Sequence, residues 1–286
     1  MILLTLPSSQ TKKYQTYIFN TVLSITLLTS TVFKHPAYAA DLSKQTQEIQ
    51  QGILLFKNKK YSDAFSVLLP YAQQGNPRAQ FTIGLLYDMG SIRHMDKNKA
   101  VEWYRKAAEQ GLADAQYDMG VMFSKGEGIY KDLTEAKNWY LKAAKQKHGF
   151  AMFNLGVLYE RGYGVTVNIP RAVEWYQKAI DKGVSQAAFN LAHLYYIGRA
   201  DKKDLQLALK YYLQAAKQGH SGAQYYAAWM LEQGEGTNID LEKAKSWYYE
   251  AALSGYKKAI WNYALLLKKD GKEQQSKFWL KRFKHN

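Results

Sequence analysis

The 286-residue chain contains no cysteine. Disulfides and thiolate metal sites are thereby excluded, as is the lipid-modified cysteine that could anchor an exported bacterial protein. Histidine is scarce: His35, His94, His148, His193, His220 and His285 are scattered, with none paired at i and i+4, which argues against a metal site. No glycine-rich segment follows a strand or matches GxxxxGK[ST], so the glycines are read as turn residues and not as a phosphate loop. The chain also lacks an uninterrupted apolar run of ~20 residues, the length a helix needs to cross a bilayer. With 47% hydrophobic and 22% charged residues it still has enough apolar surface for a substantial core. Its stability must come from packing.

The first forty residues stand apart from the rest. Lys12 and Lys13 precede an uncharged stretch from Ile18 to Phe33, and Ala37, Tyr38 and Ala39 then supply the small-x-small pattern that a signal peptidase accepts. Residues 1–40 are therefore read as a signal peptide cleaved after Ala39 or Ala40. An uncleaved anchor is the weaker alternative, because the apolar stretch is short and diluted by serine and threonine. The expected location is the bacterial periplasm, or beyond it if secretion is complete. Cleavage removes Lys12, Lys13 and Lys34 and no acidic residue, leaving 36 basic against 24 acidic residues and a net charge of +12.

From Ala79 the chain repeats itself every 36 residues without a gap, through Ala115, Ala151, Ala187 and Ala223 to Ala259. Each block opens with a helical phrase such as AMFNLGVLYERG, whose sixth position is Gly84, Gly120, Gly156, Ala192 or Ala228. A small residue there lets a neighbouring helix approach closely. The second half of the block is a phrase such as AVEWYRKAAEQG, in which Ala100, Trp103, Tyr104, Ala107 and Ala108 fall on one helical face. On this reading Trp175, like its counterparts, lies in the interface between helix pairs. Glycine pairs such as Gly126 with Gly128 and Gly162 with Gly164 separate the two helices. Asp96, Asp132, Asn168, Asp204 and Asp240 stand where N-caps are wanted. One such hairpin has no way to bury its apolar faces alone, so consecutive pairs must stack.

The small residue at the sixth position, the LY pair, the GxG turn, the aspartate and the A..WY.KAA..G phrase together resemble the Sel-like repeat, a branch of the tetratricopeptide superfamily. The resemblance implies an all-α fold, a right-handed α/α solenoid of about seven stacked helix-turn-helix repeats. Residues 79–258 hold five 36-residue copies. Two copies depart from the pattern: Gly90-Ser91-Ile92 and Gly198-Arg199-Ala200 lack the second glycine, so altered turns are expected there. Residues 45–78 read as an N-terminal tetratricopeptide-like capping repeat with a shorter turn. Residues 259–286 read as a truncated C-terminal cap with a basic tail. Some family members staple each unit with a disulfide, which this chain has no cysteine to form.

Convergent polar groups that catalysis would need are few. Ser254 and Lys257 match the Ser-x-x-Lys spacing of penicillin-interacting enzymes, but the companion Ser-Asp-Asn and Lys-Thr-Gly motifs are missing. The chain is accordingly read as non-catalytic, without cofactor. Lysines are interspersed with acids along most helices, the pattern of solvated outer faces, so no nucleic acid is expected as a partner. Between Lys268 and Lys284 seven basic residues meet two acidic ones. This excess is read as a solubilising cap, with weak contact to an anionic envelope surface as the alternative.

The first helix of each copy carries the better lead. Its positions 3, 4, 7, 10 and 11 lie opposite the core side and ought to be polar. Position 3 is instead aromatic throughout, as Phe81, Tyr117, Phe153, Phe189, Tyr225 and Trp261. Position 7 adds Val157, His193 and Trp229, position 10 adds Tyr196, and position 4 adds Asn154 and Asn190, whose amides pair well with a peptide backbone. Two readings coexist: these side chains fill gaps between stacked helices, or they form a concave groove for a protein or peptide partner. On the second reading the candidate contacts are Phe153, Asn154, Val157, Phe189, Asn190, His193, Tyr196, Tyr225 and Trp229. Family resemblance implies adaptor roles in complex assembly, envelope maintenance or host contact. It leaves two alternatives, a periplasmic immunity protein that neutralises a secreted toxin and a penicillin-binding or β-lactam-hydrolysing cell-wall protein.

Intact-mass measurement of the exported protein is expected to give an N-terminus at Ala40 or Asp41. Retention of Lys12 in the mature form would overturn the signal-peptide reading.

Overall fold

A computed structural model describes residues 36–91 and 95–285, with side chains described from Ser43 to Phe283. The lysines and apolar stretch of the expected signal peptide lie outside this range. Fourteen helices and no strand occur among the described residues. In chain order they are α1 (Pro36–Lys57), α2 (Tyr61–Gln73), α3 (Pro77–Asp88), α4 (Lys97–Glu109), α5 (Ala113–Lys125), α6 (Leu133–Lys145) and α7 (Gly149–Arg161). They continue as α8 (Ile169–Ile180), α9 (Ser185–Tyr196), α10 (Leu205–Lys217), α11 (Ser221–Gln233), α12 (Leu241–Leu253), α13 (Lys257–Lys269) and α14 (Glu273–His285). The expected cleavage point falls within the first turns of α1. No described helix is long and apolar enough to cross a membrane.

Helix boundaries follow from local chemistry. All five anticipated caps form: Asp96 accepts from the Lys99 amide, Asp132 from Thr134 and Glu135, Asn168 from Arg171, Asp204 from Leu207 and Asp240 from Lys243. Each satisfies backbone donors that the helix leaves open, an effect of about 1 kcal/mol. At the other end α5, α7 and α11 stop on Gly126, Gly162 and Gly234, whose left-handed φ of 72–74° costs a side chain strain. Gly128 serves differently, since a Cβ there would meet the Lys97 carbonyl oxygen at 2.2 Å. In the two copies without this second glycine, α3 and α9 end one residue earlier on a right-handed cap. The turns of the terminal hairpins are short, residues 58–60 and 270–272.

The chain forms two compact units, one up to Gln146 and one from Lys147. In the first, α1–α2, α3–α4 and α5–α6 are hairpins, and α2 and α4 also pack on the first helix of the next hairpin. The second repeats the arrangement with the hairpins α7–α8, α9–α10, α11–α12 and α13–α14. Each unit is thus a stack of α-hairpins, the solenoid arrangement in which every repeat buries its neighbour's apolar face. The fully buried large side chains include Tyr104, Tyr176, Tyr212 and Tyr248, one from each of four second helices.

These tyrosines are enclosed more deeply than the tryptophans before them: Trp103, Trp175 and Trp247 are half-buried beside fully buried Tyr104, Tyr176 and Tyr248, and only in α6 is the tryptophan, Trp139, buried as well. A Cβ on Gly84, Gly120 or Gly156 would stand 2.5–2.7 Å from the Tyr104, Tyr140 or Tyr176 ring, so the missing methyl is the space the ring fills. Trp175 is only half-buried, with the Lys178 ammonium 4.4 Å from its ring centre, and Trp103 with Lys106 repeats the arrangement at 4.3 Å. The reason is geometric. Trp and Tyr are adjacent, about 100° apart around the helix, so one points inward and the other lies at the edge, where a cation covers it.

A side-chain ladder joins the hairpins of the first unit. Gln80 and Gln116 donate to the Ala72 and Ala108 carbonyls and accept from Gln110 and Gln146 at 2.7 and 2.9 Å. Gln224 makes the same carbonyl contact with Ala216 in the second unit, but its side-chain oxygen is buried without a partner among the described residues. Ser254 stands where Gln110 and Gln146 stand, and its hydroxyl bonds the Glu250 carbonyl instead. Ser254→Gln is expected to complete the ladder and stabilise the second unit by about 0.5–1.5 kcal/mol. A thermal or urea midpoint equal to or below that of the parent would refute it.

Candidate binding surface

The nine anticipated contact residues lie on the first helices α7, α9 and α11 of the second unit, and all nine are half-buried. Phe153 packs on Tyr176, Phe189 on Tyr212 and Tyr225 on Tyr248, with ring centres 5.7–6.0 Å apart. Every position-3 aromatic of this set therefore rests on the buried tyrosine of its own hairpin and leaves part of its surface open. Asn154 and Val157 are half-buried on α7.

The tyrosine hydroxyls determine how neighbouring hairpins are joined on this face. Tyr176 donates to Glu160 Oε2 at 2.5 Å and accepts from the Asn190 amide at 3.2 Å. Tyr248 repeats this with Glu232 at 2.7 Å and Asn262 at 3.0 Å. A carboxylate at position 10, the tyrosine, and an asparagine at position 4 of the next copy thus form a polar latch. Burial first, and then the facing carboxylate, holds the Tyr176 hydroxyl well above its ordinary pKa, so it stays protonated and donates. Burial likewise raises Tyr248, with Glu232 acting in the same direction and Asn262 against it. One amide hydrogen of Asn190 is spent on this latch, and its remaining donor and acceptor are what a partner would have to use.

Between the two latches the chemistry changes. Position 10 of that copy is Tyr196 and position 4 of the next is Tyr226, so Tyr212 has neither carboxylate nor asparagine to bond. Its ring stacks on Tyr226 at 5.3 Å, and its hydroxyl lies 3.4 Å from His193 Nδ1. Phe189 stacks on His220 at 4.5 Å and touches Tyr226 at 6.0 Å, while Tyr196 meets Trp229 edge-on at 6.1 Å. Phe189, Tyr196, Tyr225 and Trp229 are thereby drawn into an aromatic surface that Tyr226 and Tyr256 complete, the latter 5.2 Å from Tyr225. Sequence reasoning missed Tyr226, Glu160 and Glu232. The available signal was the alternation of Asn with Tyr at position 4 and of Glu with Tyr at position 10.

A cleft of about 520 Å³ continues this surface toward the C-terminus, lined by Trp229, Glu232, Asn262, Leu265 and the lysines 268 and 269. Ser254 and Lys257 lie elsewhere, exposed at the junction of α12 and α13.

His220 caps α11 by accepting the Ala223 amide at Nδ1, 3.1 Å away, so this nitrogen must be unprotonated. Burial lowers its pKa below the ordinary histidine value, and burial is also the first cause of the lowering at His193. A depressed folded pKa means that the unfolded chain takes up protons first as pH falls below ~6.5. The stabilisation is therefore complete above that pH and is lost as pH falls toward the folded values. The melting temperature is expected to be flat from about pH 8 to 7 and to drop between about 6.5 and 5. His220→Asn, which keeps a capping side chain, is expected to reduce that drop. An unchanged pH profile would refute this role.

Against known proteins, the Sel1 repeat model matches residues 77–112, 113–148, 149–184, 185–220 and 221–256. A Sel1 repeat protein from Oxalobacter formigenes is 35% identical over 82% of this chain and 96% of its own, with a TM-score of 0.72. The protective antigen c5321 of uropathogenic Escherichia coli, which displays an SLR fold, is 30% identical over 87% of this chain, with a TM-score of 0.73. The match spans 55% of that chain's length. Comparison with curated proteins gives no match. Five consecutive repeat matches, on the hairpins whose caps, glycines and buried tyrosines are described above, show that the chain belongs to the Sel1 repeat family.

Proposed function

We propose that this chain is an exported, non-catalytic scaffold that binds a protein or peptide partner across the first-helix face of α7, α9 and α11. Sel1 repeat folds typically serve protein–protein interaction. The observation that carries the reading is the half-buried aromatic surface from Phe189 to Trp229. The tyrosine latch on either side of it shows that polar groups suffice to join adjacent hairpins. Aromatics at the central junction therefore exceed what stacking requires, and such side chains dominate binding energy where a partner covers them. Export rests on the signal-peptide pattern of residues 1–40. An adaptor in envelope assembly or host interaction is the role that combines both features.

Replacing Phe189 and Trp229 together by alanine is expected to abolish capture of partners by the mature protein from its own envelope. Helical circular dichroism should be largely retained at 25 °C, although loss of the stack on Tyr212 and His220 will lower the melting temperature. A folded double variant that still captures every partner of the parent would refute the assignment.

A further inference from the structure

The cleft between α11 and α13 combines three properties that together select one kind of ligand. Its apolar part is left uncovered: Trp229 is half-buried and Leu265 remains 40% exposed. Its polar floor presents acceptors. Glu232 Oε2 and the Asn262 amide nitrogen are engaged with Tyr248, while Glu232 Oε1 and Asn262 Oδ1 accept no hydrogen bond among the described residues. Its lip is cationic. Lys268 and Lys269 are exposed and make no ion pair among the described residues, whereas the adjacent acid, Asp270, is held by Lys245 at 2.6 Å. Of the two nearby carboxylates, Asp270 is thus held away by Lys245, and Glu232 on the floor gives one oxygen to Tyr248 and makes no ion pair with either lysine among the described residues.

We propose that this cleft takes an extended acidic segment of a partner protein, with an apolar side chain seated on Trp229 and Leu265 and flanking carboxylates on Lys268 and Lys269. The inference rests on the partner-binding reading above and adds the chemistry of the segment bound. An extended backbone supplies the N–H donors that Glu232 Oε1 and Asn262 Oδ1 lack. Acidic side chains gain charge-assisted bonds with two unpaired ammonium groups, and a basic segment is repelled by them. A lipid surface would meet the lysines but offers no row of backbone N–H donors to Glu232 Oε1 and Asn262 Oδ1, which is why a peptide is favoured.

The test is selection of a displayed library of random twelve-residue peptides on the full chain, compared with its Lys268→Glu/Lys269→Glu variant. Both substituted positions are exposed, and circular dichroism checks that the variant folds. Enriched peptides are expected to place Asp or Glu beside Leu, Phe or Trp, and to lose about tenfold or more in retention on the charge-reversed variant. That variant should in turn enrich peptides carrying Lys or Arg. Enrichment without acidic bias, or indifference to charge reversal, overturns the proposal. If such peptides are nevertheless lost with Phe189→Ala/Trp229→Ala, the broader partner-binding reading survives and only this one fails. If the folded chain retains no peptide, both fail. Vesicles containing phosphatidylglycerol form a parallel arm. Lysine-dependent retention on these vesicles, with no acidic peptide selected, assigns the lip to a lipid surface and overturns the proposal as well.

Discussion

The second-helix tyrosine seated on the small residue of the first helix is the contact on which the structure of each unit depends. Where that residue is Gly84, Gly120 or Gly156, the ring occupies the volume a methyl would need. Ala192 and Ala228 fill the same position in the following copies, and Tyr212 and Tyr248 are still fully buried. Close approach of the two helices, not backbone freedom, is what this position provides. The ring then does two things at once. It buries a large apolar area within its hairpin, and it delivers a hydroxyl to the far side, where the next hairpin begins.

That hydroxyl converts a stack of similar hairpins into a surface with distinct parts. Where a glutamate and an asparagine flank it, as at Tyr176 and Tyr248, a satisfied polar latch results. Where Tyr196 and Tyr226 replace them, the rings stack and the Tyr212 hydroxyl turns to His193 Nδ1 at 3.4 Å. A buried polar group is costly unless paired, so the substitutions must come together; one aromatic opposite a glutamate would strand a charge. Gln224 is the exception to this rule: its ladder partner has become Ser254, and its side-chain oxygen is buried and unpaired among the described residues. Repetition supplies the scaffold, and paired departures from repetition supply its individuality.

Much of this architecture was legible in the sequence because it is periodic. The 36-residue register, the five aspartate or asparagine caps, the glycine ends and the altered turns at Gly90 and Gly198 are local properties, fixed by spacing and by side-chain chemistry within a few residues. The aromatic position 3 was equally visible, as was the concentration of basic residues after Lys268. Less legible was which of two adjacent aromatics points inward. A helical-wheel argument places Trp175 and Tyr176 on one broad face, and only packing shows that Tyr176 is enclosed while Trp175 lies at the edge beneath Lys178.

The sequence by itself determined the helical hairpins, their boundaries and their membership of a repeating series, because capping, turn geometry and apolar periodicity act over short distances. Tertiary structure alone decided which polar groups meet across hairpins. Glu160, Tyr176 and Asn190 come from three different helices, 14 to 16 residues from one to the next. Their meeting depends on how deeply one ring sinks against one glycine, and no local pattern encodes that distance. The open cleft beside Trp229, and the pairing of Asp270 with Lys245 rather than with Lys268 or Lys269, follow from the same three-dimensional packing.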